Sequence, residues 1–316
     1  MNVRSSDASI TRTSPRKSSL LRSMYRYRRL YVLALPGILY FLVFHYLPMW
    51  GVLIAFQDYS PFQGFFGSDW VGFKHFIDFF QSDKFLRLLG NTLMINLLKL
   101  VLFFPAPIVL ALLLNEVRNA LYKRLVQTVV YLPHFLSWVI VIGIYSLMFS
   151  STGFVNELVV MMGGTAKKWM MMPELFQITI VLQNIWKETG WGTIIFLAAL
   201  SSVSPELYEA AVMDGASRWR QLWNITLPTI RPTIIMLLLL QLGHILNTGF
   251  EQIFLMLNPL VLDVGDVFAT YVYREGILQG DFSFASAAGL FNSLVGLILI
   301  LGANKLTKKL GEEGLF

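Results

Sequence analysis

The chain of 316 residues has no cysteine, which excludes disulfides, thiol chemistry and cysteine-based metal sites. Charge is scarce too. Asp, Glu, Lys and Arg make up 14% of the residues and hydrophobic types 55%, and the mean hydropathy is +0.60. A soluble domain carries about a quarter charged residues, so a soluble globular protein is excluded. Segments of about 10 residues alternating apolar and polar, the mark of a membrane barrel, are missing. So are a Walker loop, an HExxH pair, a glycine-rich nucleotide fingerprint and a nucleophile elbow. No catalytic residue, metal site or bound cofactor is therefore expected, and no internal repeat or separate soluble domain is visible.

What is present is hydrophobicity gathered into runs of about 20 residues, the length that crosses a hydrocarbon core as a helix. Backbone groups in lipid must be bonded within each span, so the expected fold is an all-α membrane protein. Six spans are predicted, at residues 30–56, 91–114, 126–149, 176–200, 232–257 and 284–303. Tyr31, Trp50, Tyr131 and Tyr145 lie toward span ends, as interfacial aromatics do. Residues 1–29 form a basic tail with eight Lys or Arg and one Asp. The apolar run after the tail is too long for a signal peptide and has no small-residue cleavage site.

The net charge of +6 raises nucleic acid as a partner, but its distribution argues for topology instead. With both termini cytoplasmic, the inner segments (1–29, 115–125, 201–231 and 303–316) hold 17 Lys or Arg. The outer loops (57–90, 150–175 and 258–283) hold 6, and Lys99 and Lys187 fall within spans. That bias predicts both termini inside. Three regions follow: the tail 1–29, a six-span domain 30–303 and a C-terminal tail 304–316. In the first outer loop, residues 71–80 read as a short amphipathic helix, suited to lying at the interface or to meeting a soluble partner. The loop with Asp263, Asp266, Tyr271, Tyr273 and Arg274 is a second contact surface.

An ionisable group deep in a bilayer costs about 3 kcal/mol on insertion scales, so each one needs a reason. The fifth span carries Gln241, His244, Asn247, Thr248 and Glu251, and steps of three and four put most of them on one helix face. The fourth carries Gln183, Asn184, Lys187, Glu188 and Trp191, with Gly190 and Gly192 between. The second carries Asn96, Lys99 and a Pro105-Ala106-Pro107 kink. One reading is helix-to-helix bonding, with Lys99 or Lys187 paired to Glu188 or Glu251. The other is a polar path through the membrane. Amides, carboxylates and rings suit sugar hydroxyls and apolar sugar faces, and the path residues are Asn184, Glu188, Trp191, Gln241, His244, Asn247 and Glu251. A proton- or ion-coupled secondary carrier using His244, Glu188 and Glu251 is the rival function, and a membrane scaffold is a third.

The longest polar structured interval is SPELYEAAVMDGASRWRQLWNITLPTIRP, residues 204–232. Ser204 is a candidate N-cap, Pro205 suits the first helical position, and Glu206 sits near the positive end of the helix dipole. Leu207, Ala210, Ala211 and Met213 make an apolar, small-residue stripe, and Gly215 supplies the stop. Trp219, Leu222 and Trp223 predict a second short helix, and Leu227-Pro228 and Pro232 are expected to break the chain again.

Glu209-Ala210-Ala211, then Asp214-Gly215-Ala216-Ser217, then Ile225-x-Leu227-Pro228 resembles the EAA loop of ABC-importer permeases, and the match has no gap. The resemblance extends over nearly the whole chain after residue 25, through segments such as FPAPIVLALLLNE, YLPHFLSW and NIWKETGWGTIIFLAAL. It is closest to carbohydrate permeases of the oligosaccharide branch, including those for uronate-containing chains such as alginate or aldouronates. The resemblance implies a type I ABC importer permease fold and a multi-pass protein of the bacterial inner membrane. Its implied partners are a second, similar permease in a heterodimer, two ATPase subunits that bind ATP and Mg, an extracytoplasmic solute-binding protein and an oligosaccharide. It also implies that Glu209, Ala210, Ala211, Asp214, Gly215, Leu227 and Pro228 couple this chain to the ATPase. Asp214 and Arg218 are one helical turn apart and can pair there, for a few tenths of a kcal/mol.

Overall fold

The computed structural model describes residues 25, 27–243, 245, 246 and 248–309. The chain divides into two compact units, residues 1–51 and 52–316. In the first, α1 (Arg28–Phe41) passes into a π-helical turn at Leu42–Tyr46, and no residue of either is buried.

The 3-10 run Leu47–Phe56 begins in the first unit and ends in the second, where β1 (Gln57–Asp58), α2 (Gly64–Gly67), β2 (Asp69–Trp70) and α3 (Lys74–Gln81) follow. Then follow α4 (Asp83–Leu98), a π turn at Lys99–Phe103, α5 (Pro105–Glu116), α6 (Ala120–Tyr131), α7 (Trp138–Met148), α8 (Phe154–Met161) and α9 (Pro173–Ser201). The remainder is α10 (Pro205–Met213), α11 (Arg218–Gln221), α12 (Leu227–Gly243), α13 (Phe250–Met256), α14 (Leu262–Gly265), α15 (Phe268–Tyr273) and α16 (Phe282–Lys309). The two strands pair antiparallel, Gln57 with Trp70 and Asp58 with Asp69.

Among the described residues, four helical stretches are long and apolar enough to cross a membrane: Arg28–Phe56, Asp83–Glu116, Arg218–Gly243 and Phe282–Lys309. Counting each of two bent pairs as one span gives up to six. Ala120–Phe135 and Trp138–Met148 meet at 102°, and Pro173–Ser201 meets Pro205–Met213 at 68°.

Three expectations for the spans change. The fifth is not one helix over 232–257: helix runs from Arg218 to Gly243, breaks, and resumes at Phe250. Gly249 has φ +85°, which an ordinary residue adopts only at a cost, so a single polar face through Gln241 and Glu251 does not form. Conversely, Pro228 and Pro232 lie inside the helical stretch and do not break it. A π turn at Leu222–Thr226 precedes Pro228, and Leu227 N–H bonds to the Leu222 carbonyl five residues back. That wider turn takes up the crowding and the lost donor that a proline imposes. The Lys99–Phe103 turn does the same before Pro105, where Phe104 N–H bonds to the Lys99 carbonyl at 3.0 Å.

Segments assigned by charge to the same side come together. At one end, Tyr59 N–H donates to Ser283 Oγ, Asn91 to the Asp263 and Asp266 carbonyls, and Asn258 to the Met170 carbonyl. At the other, Arg218 Nη1 donates to Glu116 Oε2 at 3.0 Å. The core has three clusters. Phe79, Leu88, Phe268, Tyr271 and Ala288 pack at the first end. Ile95, Ile142, Phe176, Ile180, Ile253 and Met256 fill the middle. Ala111, Phe196, Leu200 and Ile230 join the spans near the second end. The amphipathic helix expected at 71–80 is α3, whose Phe79 and His75 are buried against the same chain. Burial pushes the Tyr271 phenol up to about 12, so it stays an O–H.

Close approach decides the packing of α9. A Cβ at Gly190 would overlap the Val130 carbonyl, and one at Gly192 would lie 2.9 Å from Pro107 Cγ. Thr193 Oγ1 donates to the Pro107 carbonyl at 3.3 Å. The two glycines therefore let α9 lie against α6 and α5 at once, as small residues do between membrane helices.

Candidate functional site

Two sites take shape. The first is α10. Ser204 is extended and its Oγ accepts from Glu206 N–H at 3.3 Å, so the predicted N-cap forms. The helix stops as the sequence requires. Gly215 has φ +74°, Gly215 N–H bonds to the Val212 carbonyl at 3.0 Å, and Ala216 N–H bonds to the Ala211 carbonyl at 2.8 Å. That pair of bonds satisfies carbonyls the helix leaves open. No side chain of α10 is buried, and Leu207, Val212 and Met213 are all at least half exposed. Tyr208 Oη and Thr226 Oγ1, 2.9 Å apart, tie α10 to the root of the next span.

The remaining motif residues are dispersed. Glu209, Ala210 and Asp214 are exposed on α10 and its cap. Leu227 packs among Ala111, Phe196, Leu200 and Ile230, while Pro228 is exposed within the helix. Asp214 does not pair with Arg218. Gly215 ends the helix between them, and Arg218 turns instead to Glu116. Both partners are mostly exposed, so that pair contributes little.

The second site lies where α9 meets the bend of the third span. Pro133 opens a 3-10 turn over Leu132–Phe135, Leu136 is extended, and Ser137 caps α7. The bend between α6 and α7 leaves carbonyls without helical donors, and one of them is met by Lys187. Its Nζ donates to the His134 carbonyl and to Glu188 Oε1, each at 2.8 Å. Glu188 Oε2 lies 2.7 Å from His134 Nδ1, where the ring N–H donates to the carboxylate. The His134 ring stacks on Trp191 with centroids 4.3 Å apart and 4° between planes. Lys187 is buried and its Nζ is 5.3 Å from the centre of the Trp138 ring. Glu188 keeps 24% of its side chain exposed and Trp191 46%, so both remain open to a ligand.

The expected path residues divide accordingly. Asn184, Glu188 and Trp191 are on α9 at steps of four and three, which places them on one face. Gln241 is half-buried in α12, and Glu251 is exposed in the first turn of α13, beyond the break. His244 and Asn247 lie outside the described residues. Of the expected ion pairs, Lys187 with Glu188 forms. Lys99 meets the Thr248 carbonyl at 2.8 Å rather than a carboxylate.

His134 is the residue that sequence reasoning missed. A histidine directly after a proline in an apolar run was the available signal. Gln252 was missed too. Its Nε2 donates to the Ile180 carbonyl at 2.8 Å and to Gln183 Oε1 at 3.1 Å, holding α13 to α9.

Residues 104–311 match the family of binding-protein-dependent transport system inner membrane components. The chain belongs to that family. The permease is 55% identical over 305 residues to Protein LplB of Bacillus subtilis, covering 96% of each chain. It is 51% identical over 311 residues to the polygalacturonan/rhamnogalacturonan transport system permease protein YteP of the same organism, covering 98% of this chain and 97% of that one. Among solved structures it is similar to a chain of a bacterial alginate ABC transporter in complex with an alginate pentasaccharide-bound periplasmic protein. The TM-score there is 0.88 at 42% identity, covering 94% of this chain and all of the other.

The permease is thus a multi-pass membrane subunit of an ABC importer for sugars of the oligosaccharide class. It is a non-enzymatic subunit, and the family does not favour a secondary carrier.

Proposed function

We propose that this permease carries acidic, uronate-containing oligosaccharides inward across a bacterial inner membrane. It does so as one half of a heterodimer with a second permease, served by two ATPase subunits and an extracytoplasmic binding protein. The observation that carries the coupling part is α10, a helix capped at both ends with none of its side chains buried. Such a surface suits a groove on a partner, with Glu209 and Asp214 offering charge and Ala210 and Ala211 allowing close approach. ATP and Mg belong to the ATPase subunits. In this reading six spans run between residues 30 and 303, both termini are cytoplasmic, and residues 1–29 and 304–316 are tails. The gathering of like-assigned loops at each end supports it.

The sugar path runs past Asn184, Glu188 and Trp191 and toward Gln241, His244, Asn247 and Glu251. The Trp191 ring offers a face to a sugar and Glu188 an acceptor to its hydroxyls. The acidic class is supported by the sugars that YteP and the alginate transporter are named for.

The test is a mild-detergent pull-down of the tagged chain from its native membrane, followed by uptake of oligogalacturonides and of neutral oligosaccharides in proteoliposomes. Recovery of an ATPase and a second permease, with uptake of the acidic sugar, is expected. Gly215→Val forces a β-branched residue to φ +74° and should lose the ATPase from the complex. ATPase retention in that variant would remove the coupling claim, and uptake of neutral sugars alone would remove the acidic class.

A further inference from the structure

Lys99 is a buried cation that the coupling element and the sugar path leave without a role. It is 6% exposed and sits at the first position of the π turn Lys99–Phe103 in the second span. An ammonium at that depth is costly unless it is bonded. Its Nζ donates to the Thr248 carbonyl at 2.8 Å. That carbonyl belongs to the break of the fifth span. The break is a place that needs a donor: α12 has stopped at Gly243, Gly249 stands at φ +85°, and α13 starts at Phe250. A Cβ at Gly249 would be 3.9 Å from Lys99 Nζ, so the lysine lies against the hinge residue itself.

A second polar hold on α13 comes from α9, through Gln252 to the Ile180 carbonyl and Gln183, beside the packing of Ile253 and Met256 in the middle core cluster. The short helix is therefore pinned from two sides, by a cation from the second span and an amide that meets the fourth. Glu251 is in its first turn.

We infer that Lys99 is a positioning residue for transport: by holding the Thr248 carbonyl at the break of the fifth span, it sets where α13 and Glu251 stand relative to Glu188 and Trp191 on α9. The role does not require contact with the sugar. It rests on the path reading above for its effect on transport, but not for its hold on α13.

The absence of cysteine makes the test clean. Single cysteines are introduced as Phe254→Cys and Leu255→Cys on α13, with Phe62→Cys in the exposed loop between β1 and β2 as control. Maleimide labelling rates are then read in the assembled complex. Lys99→Met, which keeps the length and loses the donor, should change both α13 rates about fivefold or more and leave the control alone. Lys99→Arg and Lys99→Gln keep an N–H donor and should return the rates toward the parent. In uptake of oligogalacturonide, Lys99→Met should raise KM about tenfold with kcat and ATPase rate little changed. If Lys99→Met fails to assemble, Gly249→Ala loosens the same break and should shift the same two rates. Unchanged α13 labelling in the variant that assembles overturns the inference. Shifted labelling with unchanged KM keeps the hold on α13 and overturns its part in transport. The path reading fails separately, through unchanged KM in Trp191→Ala.

Discussion

Glu188 sits between two residues that need it. Lys187 is buried and has Glu188 as its counter-ion, and His134 lies flat on Trp191 with its Nδ1 on the same carboxylate. Glu188→Gln leaves the Lys187 ammonium with the His134 carbonyl and no opposing charge. Breaking a buried pair costs about 3–5 kcal/mol, and the partial exposure of Glu188 puts this one at or below the low end. A fall in the thermal unfolding midpoint of the purified complex is expected. Trp191→Ala separates the two roles of the cluster. It removes the ring and keeps the ion pair, so stability should hold while KM for oligogalacturonide uptake rises about fivefold, the worth of roughly 1 kcal/mol of stacking. An unchanged KM would make the ring a packing residue.

At the scale of elements, proline and the π turn form a repeated device. Among the described residues, Leu42–Tyr46 precedes Pro48, Lys99–Phe103 precedes Pro105, and Leu222–Thr226 precedes Pro228. In each, the residue just before the proline bonds to the carbonyl five back. The extra residue turns everything before it by about 100° relative to an unbroken helix. At Pro228 this turn lies between the span and α10, so it sets the face that α10 presents. Pro228→Ala restores a donor and allows the turn to close as α-helix. The expected outcome is a complex of ordinary stability whose sugar transported per ATP hydrolysed falls several-fold. Unaltered stoichiometry would show that the register of this junction does not matter. The prolines were plain in the sequence, but they were read as breaks because propensity describes a proline in an α-helix and not in a π turn. The two caps of α10 were legible because capping is local, written in Ser204-Pro205 and Gly215.

For the whole molecule, the question is which end faces the cytoplasm. Phe62, in the loop with β1 and β2, and Met213, at the end of α10, are both highly exposed. With the termini inside, Phe62→Cys should react with a membrane-impermeant maleimide on intact cells, and Met213→Cys only after permeabilisation. The reverse pattern would invert the topology. The prediction follows from the lysine and arginine bias, which reports on the membrane rather than on the fold.

The sequence by itself determined that the chain lives in a membrane, that its spans are helical, and where the α10 element begins and ends. These follow from segment hydrophobicity and from bonds spanning a few residues. Only the tertiary structure decided that the fifth span is broken, that Lys99 meets a carbonyl rather than a carboxylate, and that His134 joins Glu188 and Trp191. Each of those depends on a donor and an acceptor brought together from different spans: 149 positions apart for Lys99 and Thr248 and 54 for His134 and Glu188. Helical periodicity relates neighbours along one element and is silent about which element lies alongside, so a buried charge announces that it needs a partner without naming it.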